Sequence, residues 1–79
     1  MNIKADVLKI LQGIREDAPL NAFEENLFES GILDSMGIAQ LVPALEVQFD
    51  IEIGLDDIEP ENFATLEAVV SLVKAHKGV

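Results

Sequence analysis

The most informative segment of the sequence spans residues 27–37 and reads Leu-Phe-Glu-Ser-Gly-Ile-Leu-Asp-Ser-Met-Gly. Ser35 follows an acidic residue near the end of this glycine-containing segment, and the apolar residues of 38–49 then recur at helical spacing. The sequence therefore predicts a serine hydroxyl at the mouth of a helix, flanked by Asp34 and Gly37. Such a hydroxyl is placed to be modified by another enzyme, because almost nothing else in the chain would let it perform chemistry itself.

Length and composition predict one small domain covering residues 1–79. A chain of this size buries only about 60% of its unfolded surface, so its core must be simple. The hydrophobic share of 49% is ample for that core and argues against disorder. We expect a cytoplasmic protein without membrane insertion, since no apolar run approaches the roughly 20 residues of a span and the N-terminus lacks a signal-peptide pattern. The absence of cysteine excludes disulfides and thiolate metal sites.

Charge is unevenly distributed along the chain, whose net charge is −10. All acidic residues except Asp6 lie between Glu16 and Glu67, and that interval contains no lysine or arginine. Such a one-sided field repels nucleic acid and anionic membranes, and it attracts enzymes that carry basic docking patches. An acidic surface that only keeps the protein soluble explains the same composition, and both interpretations stay open. The five basic residues lie near the two ends: Lys4, Lys9, Arg15, Lys74 and Lys77.

The first half of the chain predicts an amphipathic helix followed by a long loop. Apolar residues recur at helical spacing over residues 3–15, and Asn2 can cap the start of that helix. Residues 16–34 then form a connection whose length is unusual in a small domain and is more often functional than idle. Because several of its residues are apolar, we expect the loop to lie across the helices, pinned by Phe28.

The second helix is predicted over residues 35–49 and carries two apolar faces. The face that we assign to the core consists of Ile38, Leu41, Val42, Leu45 and Phe49. The opposite side carries, at helical spacing, Met36, Gln40, Pro43 and Val47. A partly apolar outer face usually has a partner, which makes these four residues candidate partner contacts, although scattered surface hydrophobes are also normal. Pro43 removes one backbone hydrogen bond from the helix interior, so we also predict a kink there.

The last part of the chain predicts helices and no strand. The alternation at residues 50–54 suits a strand, but a single short strand has no partner in this sequence. Residues 59–63 suit a short helix with proline at its first position and Phe63 facing inward. Thr65 then caps a last helix that Gly78 closes, with basic residues near its C-terminal end. The predicted fold class is all-α, with three main helices, one short helix and a long first loop.

The sequence offers little for catalysis or for metal binding. Its one histidine, His76, lies in the last turn of the final helix, where a solvated helix-end charge is the ordinary interpretation. No Gly-x-Ser-x-Gly motif and no cysteine nucleophile are present. The acids of residues 50–61 suggest a calcium loop, but Leu55 occupies the sixth position, where an EF-hand requires glycine. We therefore predict no catalytic residue and no metal site.

Two interpretations of Ser35 stay open on the residues alone. A serine before a helix is a favoured cap, and Asp34 can share that duty. Gly37 favours a functional interpretation instead, because glycine in the first turn weakens the helix by up to about 1 kcal/mol relative to alanine. Its missing side chain would leave room for a partner or a bulky group close to Ser35.

Residues 27–37 resemble the phosphopantetheine attachment site of acyl carrier proteins, and the element layout and acidic charge match that family across essentially the whole chain. The resemblance implies an acyl-carrier-like four-helix bundle. It also implies that Ser35 receives 4′-phosphopantetheine from coenzyme A, with Asp34 and Gly37 as flanking motif residues. The terminal thiol of that arm would hold an acyl or aminoacyl group as a thioester. The implied partners are a phosphopantetheinyl transferase, an acyl- or aminoacyl-adenylating ligase, and an acyltransferase or synthase.

Within that family, the segment 34–37 followed by Gln40 and Leu41 is similar to D-alanyl carrier proteins and related stand-alone aminoacyl carriers. The second half lacks the tryptophan-containing segment of that subgroup, and residues 59–63 look like general acyl and peptidyl carriers. The resemblance favours a stand-alone, monomeric carrier in a specialised pathway, loaded by a separate ligase. The alternative is an acidic helical interaction domain without a prosthetic group, in which Ser35 is only a cap.

Overall fold

The computed structural model describes residues 2–78, which contain four α-helices and two 3-10 helices joined by loops. The α-helices are α1 (Ile3–Ile14), α2 (Ser35–Phe49), α3 (Pro60–Phe63) and α4 (Leu66–Lys77). The 3-10 helices are Leu20–Glu24 in the first loop and Leu55–Asp57 in the second. No strand occurs among these residues, which confirms the all-α prediction and its four-helix layout.

Helix α1 starts where the sequence predicts and ends one residue earlier. The Asn2 side chain accepts a hydrogen bond from the N–H of Ala5 at 3.0 Å, which confirms the predicted cap. Arg15 leaves helical geometry with φ −127°, although its N–H still donates to the Leu11 carbonyl at 3.0 Å. Val7 and Leu11 are fully buried, so one face of α1 forms part of the core.

The first loop lies against the core, and Phe28 is one of the residues that pack there. Phe28 is half-buried, and its N–H donates to the Asn26 carboxamide oxygen at 3.0 Å. Phe23 and Leu27 are buried more deeply, and the Leu27 N–H donates to the Ala64 carbonyl at 2.6 Å. Phe28 therefore contributes to holding the loop, as predicted, but it does so together with Phe23, Leu27 and one backbone bond to the α3–α4 junction.

Helix α2 has the bounds predicted from the sequence and two contrasting faces. Leu41, Leu45 and Phe49 are buried, whereas Ile38 and Val42 of the predicted core face are only partly buried. The helix continues through Pro43, which is exposed. The kink expected at that residue stays a prediction.

The short helix α3 and the last helix α4 are bounded by the predicted residues. Pro60 is the first residue of α3, and Phe63 is fully buried. The Thr65 hydroxyl accepts from the N–H of Ala68 at 3.0 Å and caps α4. Gly78 ends α4 in the left-handed region at φ 76°, with its N–H donated to the Lys74 carbonyl. These local signals are all confirmed.

His76 does more than place a charge at the end of α4. Its Nε2 lies 2.9 Å from Oδ2 of Asp57, which joins α4 to the second 3-10 helix. The neighbouring Lys77 Nζ donates to the Phe49 carbonyl at 3.2 Å and ties the ends of α4 and α2 together. The interpretation of His76 as only a helix-end charge is therefore wrong.

The core lies between α1, α2 and α4, with α3 packed against α4. No polar or charged residue among 2–78 is buried, so apolar packing alone fills the interior. No helix in this part of the chain is long and apolar enough to cross a membrane. The packing of α1 against α2 matters for function, because it brings the end of α1 to the start of α2.

Candidate functional site

Ser35 is the first residue of α2 and is exposed. Among residues 2–78, its hydroxyl has no hydrogen-bond partner. The cap is Asp34, whose extended backbone lets its Oδ1 accept from the N–H of Gly37 at 2.7 Å. A cap side chain satisfies an amide two or three residues further on, and the carboxylate already fills that place. The interpretation of Ser35 as the cap is therefore wrong.

The second carboxylate oxygen of Asp34 is held from another element. The Arg15 guanidinium donates through Nη2 to Asp34 Oδ2 at 3.1 Å and through Nε to the Ile32 carbonyl at 3.2 Å. The side chains of Arg15 and Asp34 are 40% and 57% exposed, so this ion pair contributes at most about 1 kcal/mol to stability. Its effect is geometric, since it fixes the end of the loop against α1.

Arg15 was not among the site residues predicted from the sequence. It is separated from Asp34 by 19 residues, and no motif links the two positions. The available signal was weak: Arg15 is the last basic residue before a long interval without lysine or arginine. Only the packing of α1 on α2 brings them together.

Gly37 makes room for the protein's own loop rather than for a partner. The residue is buried, and a Cβ built on it would lie 3.3 Å from Asp34 Oδ1 and 3.3 Å from Leu33 Cδ2. Both neighbours belong to the segment that enters α2. The expected role of Gly37, clearance for a group approaching Ser35, is therefore wrong, and its absent side chain instead allows the Asp34 cap to form.

The start of α2 suits a covalently attached phosphodiester. Helix N-termini present free N–H groups and the positive end of the helix dipole, both of which favour a negative group. The first turn of α2 contains no acidic residue, and the Ser35 side chain faces solvent. The one imidazole among residues 2–78, that of His76, is paired with Asp57 and not with Ser35.

The outer face of α2, defined as Met36, Gln40, Pro43 and Val47, starts beside Ser35. All four residues are exposed, Met36 by 71% and Val47 by 84%. At 1.5 Å per residue, the face extends about 16 Å along the helix. The exposed outer face of α2 therefore begins one residue after Ser35.

A cleft of about 440 Å³ lies elsewhere, with an apolar lining from Leu8, Leu20, Phe23 and Leu66. At its rim Lys4 Nζ lies 2.8 Å from Glu67 Oε1, and that hydrogen bond raises the pKa of Lys4 above its ordinary value. None of residues 27–37 lines the cleft. Within residues 2–78 no cluster of three or more histidine or acidic side chains could hold a metal ion.

Comparisons with known proteins match most of the chain. A family model described as a phosphopantetheine attachment site matches residues 2–73. D-alanyl carrier protein 2 of Lactiplantibacillus plantarum is 39% identical over 72 residues, which cover 91% of this chain and 90% of that protein. The D-alanyl carrier proteins of Streptococcus sanguinis and Streptococcus mutans are each 33% identical over 70 residues, 89% of both chains in each pair.

Proposed function

The chain belongs to the phosphopantetheine attachment site family, and we propose that Ser35 is the residue to which its 4′-phosphopantetheine is attached. The protein is a carrier, and 4′-phosphopantetheine is its covalent cofactor. The observation that carries the assignment to Ser35 is its exposed hydroxyl, which Asp34 leaves free by capping α2. Asp34 and Gly37 act beside it as the motif residues that build this helix start.

The attached group supplies a thiol at the end of a flexible arm, on which an acyl or aminoacyl group is held as a thioester. The residues of the chain have simpler tasks. They keep the hydroxyl in solvent, stabilise the negative phosphodiester through the amides of α2, and present a docking surface. We therefore assign the bond-making steps to separate enzymes: a phosphopantetheinyl transferase, an adenylating ligase, and an acyltransferase or synthase.

The outer face of α2 and the acidic surface are the elements that we assign to partner recognition. Met36 and Val47 offer exposed apolar contacts, while Gln40 and Pro43 lie between them. The net charge of −10 favours partners with basic docking surfaces. Partners of that kind would be steered toward the helix that begins with Ser35.

For the cargo, we propose an aminoacyl group. Three relatives that match about 90% of this chain bear the name D-alanyl carrier protein, which supports a small amino acid such as D-alanine. Residues 1–79 would act as one carrier domain and as a monomer. A cytoplasmic location fits this role, because arm attachment consumes coenzyme A and loading consumes ATP. If the cargo assignment is right, the arm-bearing protein gains one alanyl group from D-alanine, ATP and a D-alanine-activating ligase. No gain with that ligase would remove D-alanine as the cargo.

The attachment itself is tested by mass spectrometry after incubation with coenzyme A and a broad-range phosphopantetheinyl transferase. The wild-type protein is expected to gain about 340 Da, the mass of one arm. Ser35→Ala is expected to gain nothing. Ser71→Ala is the matched control, because Ser71 is exposed on α4 and lies outside the motif. An unmodified wild-type protein, or an arm that still appears on Ser35→Ala, would refute the assignment.

A further inference from the structure

We propose that Arg15 is a positioning residue for the modification of Ser35 and that it acts through Asp34. This inference rests on the proposed attachment at Ser35 and adds a residue outside the attachment motif. Arg15 is the C-cap of α1, and its side-chain hydrogen bonds in the described structure go to Ile32 and Asp34, both of which precede α2. Its influence on Ser35 must therefore pass through the segment that enters α2.

Arg15 joins the end of α1 to two points of that segment. Its own N–H donates to the Leu11 carbonyl, which fixes its backbone to the last turn of α1. The guanidinium then reaches the Ile32 carbonyl at 3.2 Å and Asp34 Oδ2 at 3.1 Å. A guanidinium donates several hydrogen bonds in one rigid plane, so both acceptors are held in a fixed relation to α1.

Asp34 passes this constraint on to the start of α2. One of its carboxylate oxygens is held by Arg15, while the other accepts the Gly37 N–H at 2.7 Å. The carboxylate is therefore restrained from both sides, although the Asp34 side chain is 57% exposed. Because Ser35 is bonded directly to Asp34, an Asp34 that leaves the cap would let the first turn fray and move the hydroxyl.

The two lysines of α1 do not share this geometry. Lys4 pairs with Glu67 at 2.8 Å, away from the motif. Lys9 is exposed and forms no ion pair among the described residues. Arg15, at the C-terminal end of α1, is thus the cation that meets the attachment segment. Lys9 provides a control in which one positive charge is removed from α1 itself.

The inference is tested with a double-mutant cycle of Arg15→Gln and Asp34→Asn. Asparagine is also a good cap, so Asp34→Asn retains an acceptor for the Gly37 N–H while it removes the charge that Arg15 binds. The readout is kcat/KM for transfer of the arm from coenzyme A by a phosphopantetheinyl transferase. Arg15→Gln is expected to lower kcat/KM about fivefold, the scale of a partly exposed ion pair. In the Asp34→Asn background, the change Arg15→Gln is expected to alter kcat/KM by less than about twofold, because the contact through which Arg15 acts is already lost. About twofold is the error within which independent substitutions usually add.

Two further variants separate positioning from charge. Lys9→Gln removes one positive charge and is expected to leave transfer unchanged. Arg15→Lys retains the charge but can reach only one of the two acceptors, so its rate is expected to fall between those of the wild type and Arg15→Gln. Equal losses in Arg15→Gln and Lys9→Gln would overturn the inference, as would a further loss above about twofold on the Asp34→Asn background.

Amide hydrogen exchange tests the same link without any transferase. Arg15→Gln is expected to accelerate exchange of the Gly37 amide, whereas the Ala68 amide under the Thr65 cap stays as in the wild type. Equal acceleration at both caps would mean general destabilisation and would overturn the inference. If the wild-type protein accepts no arm, the proposed function fails, and Gly37 exchange then decides the Arg15–Asp34 link alone. If the wild type is modified normally and Arg15→Gln matches it, only the inference on Arg15 fails.

Discussion

The Ser35 hydroxyl is free because the neighbouring residue, Asp34, caps the helix. A serine that caps a helix has its oxygen engaged by a backbone N–H, which would have to be released before any reaction. Here the carboxylate of Asp34 accepts a hydrogen bond from the Gly37 N–H at 2.7 Å, and Ser35 is the first residue of the helix itself. The hydroxyl therefore lies at the helix start without contributing to its stability. Removing it would alter modification and leave the fold nearly untouched.

Replacement of the single residue Gly37 is expected to change the stability of the protein. Alanine is favoured over glycine in a helix by up to about 1 kcal/mol, which alone would stabilise the protein. At Gly37, however, the new Cβ would lie 3.3 Å from atoms of Leu33 and Asp34, which are held by the core and by Arg15. We expect Gly37→Ala to lower the free energy of unfolding by about 1 kcal/mol, the low end of the cost of overpacking, in urea denaturation.

The control for this substitution is Gly13→Ala. Gly13 is exposed in α1, and a Cβ there would meet nothing within 4 Å. Its replacement is expected to raise the free energy of unfolding by about 0.5–1 kcal/mol. If both substitutions stabilised the protein equally, the close approach at Gly37 would not constrain the cap.

At the scale of secondary structure, α2 carries the surface that we propose for partner docking. Its inner side is fixed by Leu41, Leu45 and Phe49, so the direction of its outer face is set by the core. Pro43 is exposed on that outer side, where the missing backbone donor affects no buried contact. The core therefore fixes the position of α2, and the exposed residues of its outer face can be changed without disturbing that packing.

A charge placed on the outer face of α2 is expected to weaken partner binding while the fold stays intact. Met36→Glu and Val47→Glu change side chains that are 71% and 84% exposed, so we expect little effect on urea denaturation. For a loading ligase, KM for the carrier is expected to rise about fivefold or more, as at a central interface residue, with kcat retained. Leu20→Glu is the control, because Leu20 is 73% exposed but lies in the first 3-10 helix. Equal effects of all three changes would contradict docking on α2.

Across the whole molecule, the helix ends were predicted well by capping residues, which act on neighbours only a few positions away. Asn2, Thr65 and Gly78 mark helix ends through bonds to residues three or four positions away, so the sequence alone predicts those ends. The 3-10 helices were not predicted, since single turns of this kind have no strong periodicity.

Contacts between distant residues were the part that the sequence could not predict. The pairs Arg15–Asp34 and His76–Asp57 each join residues 19 positions apart, and they form only because whole helices pack together. The role of Gly37 was misjudged for the same reason, because its environment depends on how the loop enters α2. Ser35 itself was predictable, since its position at the start of a helix is written in adjacent residues.

The net charge predicts that salt has opposite effects on loading by a partner and on the stability of the fold. Salt screens attraction between exposed charges, with a Debye length of about 10 Å at 0.1 M and about 3 Å at 1 M. We expect kcat/KM for loading by a basic partner to fall steeply as NaCl is raised. The free energy of unfolding in urea is expected to rise over the same range, because a net charge of −10 repels itself within the folded protein. Loading that is insensitive to salt would mean that the acidic surface does not steer partners.

The closeness of Ser35 to the outer face of α2 also limits how many enzymes can act at once. A typical protein interface covers about 800 Å² on each side. The whole accessible surface is 4853 Å², so one partner occupies roughly a sixth of it. We expect two partners that both reach this helix start to exclude each other. Arm attachment, loading and delivery would then occur one after another, and an excess of one enzyme would delay the others by simple competition.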